Sequence, residues 1–194
     1  MARILLNLAT QLMTISFLSS FSLILVTSED RSYVRIVDKK ELGLKKQKIS
    51  HFRVYWHDIL SGSNPTAVRI VPPPSNSSAT SFGFLAMIDD PLTEGPNLTS
   101  KMVGRAQGLY GSAAQEELRL ILAMNFVFTE GKFNGSSITI LGSNKVSLNI
   151  REMPVIGGTG IFRLTRGYVQ ASTYYFNRSS GDTTVEYNIY VLHY

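Results

Sequence analysis

The side chains able to do chemistry in this chain are few. In His51-Phe-Arg-Val-Tyr-Trp-His-Asp58, strand alternation places Phe52, Val54, Trp56 and Asp58 on one face and Arg53, Tyr55 and His57 on the other. A carboxylate ending an apolar strand face has two uses. It caps the turn that follows, here Ser61 to Pro65, or it projects into an apolar cavity as an acid. Asp89-Asp90-Pro91 closes another apolar run, Phe82–Ile88, and reads as a solvated turn or as the source of one inward carboxylate. Strand neighbours face opposite ways, so at most one of the two acids turns inward. Arg151 alternates with Asn149 and Met153. An acid, a tyrosine and a guanidinium meeting in an apolar space would serve proton transfer beside a developing oxyanion.

Other chemistries are poorly served. The chain has no cysteine, hence no disulfide framework, thiolate metal site or cysteine nucleophile. Its three histidines, His51, His57 and His193, form no closely spaced ligand set, which argues against a zinc hydrolase. Gly157-Gly-Thr-Gly160 is followed by no helix pattern, so the logic of a phosphate on a helix N-terminus fails and a backbone bend is expected. A GxSxG elbow is absent. No metal or organic cofactor is implied.

The elements that must position these groups are strands. Short apolar or alternating runs recur between Gly, Pro and Asn turns: 51–60, 67–71, 82–88, 102–110, 118–129, 137–141, 148–155, 160–173 and 185–193. Eight or nine such runs without a linker predict one all-β domain over 49–194, an antiparallel sandwich or barrel. Ser112–Met124 has a capping-box-like start, but its continuation Asn-Phe-Val-Phe favours strand.

Charge and the N-terminus speak to location. The formal net charge is +5, but residues 1–48 contain eight of the 19 Lys/Arg and four of the 14 Asp/Glu. The body is therefore nearly neutral, which argues against nucleic-acid binding. Residues 1–28 have the shape of a secretory signal peptide, with Arg3 before an apolar stretch diluted by Ser and Thr; a membrane anchor is the weaker reading. Residues 29–48 read as a basic, mobile arm. Sequons at Asn76, Asn97, Asn134 and Asn177 fit a secreted, extracellular glycoprotein, whereas Asn64-Pro-Thr is blocked by its proline.

Three ordered segments taken together resemble plant dirigent proteins: Tyr55-Trp-His-Asp-Ile-Leu60, Val103-Gly-Arg-Ala-Gln-Gly-Leu-Tyr110, and Val155-Ile-Gly-Gly-Thr-Gly160 with Arg166-Gly-Tyr168. The resemblance implies an eight-stranded antiparallel β-barrel with a central cavity, a secreted homotrimer, and no membrane association after signal cleavage. It implies control of stereochemistry in phenylpropanoid or isoflavonoid chemistry. A phenolic radical, supplied by a separate oxidase such as a laccase or peroxidase, or a quinone methide would be held in the barrel. The similarity leans to the non-lignan subgroup that includes pterocarpan synthases, so an isoflavanol dehydratase acting without an oxidase is the alternative. A non-catalytic phenolic-binding defence protein is the second alternative. Carried over by motif, Asp58, Asp89, Arg151 and Tyr110 would be catalytic, with Asp58 or Asp89 the acid, and Trp56 and Asn144 would bind substrate. Lignan-type members carry Asp where this chain has Asn144, and another Asp where it has Ile161.

Overall fold

The computed structural model describes residues 33–75 and 78–194, so the expected signal peptide, the first residues of the arm and the Asn76 sequon lie outside the described residues. The chain divides into two compact units, 1–42 and 43–194. In the described part of the first, Arg35 pairs with Glu41 at 2.6 Å and the backbone turns at 39–42.

The second unit is built from nine strands: β1 Lys48–Asp58, β2 Ala67–Val71, β3 Leu85–Thr93, β4 Met102–Ser112, β5 Arg119–Phe128, β6 Ser137–Lys145, β7 Arg151–Thr159, β8 Arg166–Phe176 and β9 Thr183–His193. All pairings are antiparallel. The order runs β1-β9-β8-β7-β6-β5-β4-β3, and β3 returns to β1, closing an eight-stranded barrel. Short β2 lies outside the ring order, on the free edge of β3. Two 3₁₀ turns, Gly131–Phe133 and Gly160–Phe162, complete the regular structure among the described residues.

Alternation explains what faces in. Phe52, Val54, Trp56 and Asp58 of β1 share the lumen with Ala86, Ile88, Asp90 and Leu92 of β3 and Val185, Tyr187, Ile189 and Val191 of β9. Close strand approach is needed where β4 meets β5. Gly108 has φ +150°, and a Cβ there would run into the Ala123 carbonyl, so only glycine fits.

Packing differs along the barrel axis. One end is filled by Phe52, Phe128, Phe133 and Phe162, with Phe52–Phe133 centroids 5.0 Å and Phe128–Phe162 centroids 5.6 Å apart. Tyr187 and Phe126, 5.1 Å apart, continue this packing with Met124, Met153 and Ile140. The other end is hollow.

Two expected boundaries move. The run expected to stop at Asp89-Asp90-Pro91 continues to Thr93. Pro91 is tolerated because it falls between the stretch of β3 held by β2 and Thr66 and the stretch held by β1, where no ladder hydrogen bond requires its missing N–H. The Gly157–Gly160 bend begins only at Gly160, because Gly157 and Gly158 still pair with Thr139 and Ile138 of β6.

Candidate functional site

The hollow end is a cavity of about 540 Å³, within the ~300–1,000 Å³ usual for small-molecule sites. Its wall is assembled from strand ends. Asp58 comes from the end of β1, Tyr110 from β4, Asn144 from β6, Arg151 from the start of β7 and Thr173 from β8. Each sits one or two alternation steps from a buried apolar residue of its own strand, such as Met153 for Arg151 and Ala171 for Thr173. The same periodicity that fills the core therefore delivers polar groups to the rim of the filled layer.

Asp58 is buried in this wall. The Tyr110 hydroxyl donates to its Oδ2 at 3.0 Å, while Oδ1 has no partner. Burial, reinforced by the nearby Asp90 carboxylate, pushes Asp58 up to about 7, against the opposing Tyr110 hydrogen bond. Because Oδ2 already accepts from Tyr110, Oδ1 is the oxygen left to hold the acid proton. Burial, with the adjacent Asp58, also raises Tyr110 well above the ordinary tyrosine value, so its hydroxyl stays protonated.

Arg151 has no ion-pair partner among the described residues. Its Nη1 donates to the Thr173 hydroxyl at 2.8 Å and the Leu148 carbonyl at 3.3 Å, and Nε is unpartnered. Burial pulls its pKa down. The Asn144 Oδ1 is likewise buried without a partner. Unsatisfied buried polar atoms cost about 1–3 kcal/mol each. The cavity wall thus presents three unused hydrogen-bonding atoms: Asp58 Oδ1, Asn144 Oδ1 and Arg151 Nε.

The inward acid of the Asp-Asp pair is Asp90, not Asp89. Asp89 lies on the outer wall, where Arg105 Nε pairs with it at 2.6 Å and Gln107 donates to it at 2.9 Å, holding its pKa below the usual carboxylate range. This placement corrects the expectation that Asp89 is a cavity acid: β3 runs through the motif as a strand, and alternation from Ile88 selects residue 90. Asp90 is fully buried, and both its oxygens are taken, one by the Trp56 indole N–H at 2.7 Å and one by the Thr66 hydroxyl. Burial raises it to about 6. It offers no free oxygen to a guest, but it fixes Trp56, whose ring meets Tyr110 edge-on with centroids 6.3 Å apart.

Asp58 does not cap the Ser61 turn. Asp182 does, accepting from the backbone N–H groups of Leu60 and Ser61 and from the Ser61 hydroxyl. Asp182 escaped the sequence reading because it lies 124 residues along the chain from Asp58, in the β8–β9 turn, and only the pairing of β9 with β1 brings it to Ser61. Arg69 and Phe84 were also missed: they line the mouth, with the Arg69 guanidinium 5.3 Å from the Phe84 ring centre. Asn97 and Asn134 lie exposed in connections, and half-buried Asn177 opens the β8–β9 turn, where its Oδ1 accepts from Ser179 N–H at 2.9 Å.

The family model described as Dirigent-like protein matches residues 49–192. Dirigent protein 7 of Arabidopsis thaliana is 50% identical over 194 residues, covering 100% of both chains. Pterocarpan synthase 1 of Glycyrrhiza echinata is 42% identical over 165 residues, 84% of this chain and 88% of that one. The solved pterocarpan synthase dirigent protein GePTS1 superposes with a TM-score of 0.74 at 43% identity, over 77% of this chain and 87% of that one. For PsPTS1 the TM-score is 0.72 at 46% identity, over 76% and 96%.

Proposed function

This chain belongs to the dirigent-like family, and on that premise we propose that its barrel holds a phenolic radical or quinone methide and sets the stereochemistry with which it couples or closes a ring. The observation that carries the reading is the arrangement of Asp58 and Arg151: an acid with a free oxygen and a guanidinium without a counter-ion, on one apolar cavity. A quinone methide is electrophilic at carbon and gathers negative charge on oxygen as it is attacked. Arg151 stabilises that oxygen, and Asn144 accepts from a neighbouring hydroxyl. Trp56, Tyr110 and Phe84, held edge-to-face, wall the ring on one side and leave one face open to attack.

A second reading, dehydration of an isoflavanol without an oxidase, is favoured by the raised pKa of Asp58 and by the pterocarpan synthase relatives. Protonated Asp58 gives its proton to the leaving hydroxyl, the C–O bond breaks and water departs, leaving the quinone methide in its protonated, cationic form with its ring hydroxyl intact. A phenol of the same molecule then attacks the quinone methide, and its proton returns to Asp58. The acid is regenerated, so no oxidant enters.

One assay separates the readings. The protein is incubated with a 2′-hydroxyisoflavanol alone, and with coniferyl alcohol plus laccase, and the products are resolved by chiral chromatography. Ring-closed product from the isoflavanol without oxidant identifies a lyase. Enantiomeric enrichment only with laccase identifies a guide for radicals. Racemic or absent product in both arms removes both readings and leaves a binding protein.

The proposal places the protein outside the cell as a homotrimer. Supporting the homotrimer, Val68, Met87, Leu109, Ala123 and Leu141 are direct register partners across β2 to β6 and form an apolar row on the outer wall. A monomeric mass by light scattering, or retention inside expressing plant cells, overturns the corresponding part.

A further inference from the structure

With no cysteine in the chain, no disulfide ties one strand to another. The outer wall nevertheless holds two phenols in contact. Tyr168 of β8 and Tyr190 of β9 are direct cross-strand partners, and their rings stack with centroids 5.0 Å apart and planes 23° from parallel. His51 of β1 stacks on the opposite face of Tyr190, with centroids 4.5 Å apart and planes 9° from parallel, so the Tyr190 ring is held from both sides. Gly167, just before Tyr168, allows the close approach of the two strands: a Cβ there would run into the Tyr190 carbonyl. Tyr168 is 38% exposed, within reach of a reagent in solution.

Among the described tyrosines this face-to-face contact is distinctive. Tyr55 and Tyr174 meet at 81°, and Tyr55 is buried with its hydroxyl donated to Glu186. Tyr110 and Tyr187 are buried inside the barrel. Carbon–carbon coupling of two phenoxyl radicals proceeds through the faces of the rings at the carbons ortho to oxygen. A stacked pair presents those faces to each other, and a perpendicular pair does not.

We propose that Tyr168 and Tyr190 are a site of oxidative cross-linking, joined as a dityrosine by a one-electron phenol oxidant of the peroxidase class. Each phenol loses one electron and its hydroxyl proton. The two ortho carbons then form a C–C bond, and each gives up its hydrogen to restore the aromatic ring and the hydroxyl. The net loss is two electrons and two protons, which hydrogen peroxide accepts to become two waters. The product is a covalent staple between β8 and β9 on the wall opposite the lumen-facing Val169 and Ile189. The inference stands apart from the cavity reading, because it needs no guest in the barrel.

The test uses purified protein at low concentration with peroxidase and hydrogen peroxide, without added phenolics. Expected are dityrosine fluorescence, a chain of single-chain size lighter by two hydrogens, and one linked peptide pair containing Tyr168 and Tyr190. Tyr168→Phe and Tyr190→Phe keep the ring and abolish the linked pair, whereas Tyr175→Phe, exposed but outside the stack, retains it. Oxidation raises the thermal midpoint of the wild type and not of Tyr168→Phe. Linkage at other tyrosines, a product of double chain mass, or no linkage in the wild type overturns the proposal.

Discussion

The two ends of the barrel are built by the same alternation and do opposite things with it. At the filled end, Phe52, Phe128, Phe133 and Phe162 touch one another, burying large rings and contributing stability. At the hollow end, six residues along β1 from Phe52, Asp58 has an unpaired oxygen on the same cavity wall as Arg151, which has no ion-pair partner among the described residues. That end costs stability and offers chemistry. The difference shows that cohesion and reactivity share strands without sharing layers, so substitutions at the two ends should sort cleanly into stability effects and activity effects.

The largest effect is expected at Asp58. Asp58→Asn should lower product formation by about 10²–10⁴-fold. The same change should raise stability at alkaline pH, and the sign follows from proton uptake. With its folded pKa near 7 against an ordinary value of 3.8, the native state keeps a proton that the unfolded chain loses across that window, so stability falls as pH rises through it. Activity of the wild type should fall over the same upper range. Chemical denaturation at pH 5 and pH 8, with a pH–rate profile, checks both; a variant less stable than wild type at pH 8 contradicts the division.

Next comes the filled end. Phe162→Ala should cost about 3–5 kcal/mol of folding free energy, read from urea midpoints, and leave product handedness unchanged in the molecules that remain folded. Altered handedness would show that the two layers are coupled. Arg151→Ala should lower turnover by about 10²–10³-fold, with a stability change smaller than that of Phe162→Ala. The smallest effect belongs to Asp89→Asn. Its ion pair with Arg105 is on the outer wall, so stability should move by less than about 1 kcal/mol and activity not at all, measured in the same assays. A large activity loss there would restore Asp89 as a cavity acid.

Much of this was legible in the sequence, and the failures have physical causes. The inward set of β1 and the pairing of Arg151 with Met153 on one face follow from period-two alternation alone. The barrel, rather than a sandwich, came only with the family likeness, because closure of β1 on β3 is a long-range event that no local pattern encodes. The residues left the choice between Asp89 and Asp90 open, since Pro91 reads locally as a stop and is tolerated only where β3 passes from one edge partner to the other, and the motif carry-over then named Asp89. Whether Asp58 caps a turn or faces the cavity depended on Asp182, a competitor 124 residues away that occupies the capping position.

The ladder that fastens the hoop of strands between β1 and β3 has two residue pairs, Tyr55 with Thr93 and Trp56 with Leu92. One of those rungs is the tryptophan whose indole is tethered to Asp90 and whose ring abuts Tyr110. Clasp and bore therefore share a single side chain. Any exchange at position 56 made to reshape the space for a guest also loosens the fastening, so evolution of selectivity at that spot is constrained by the mechanics of closure.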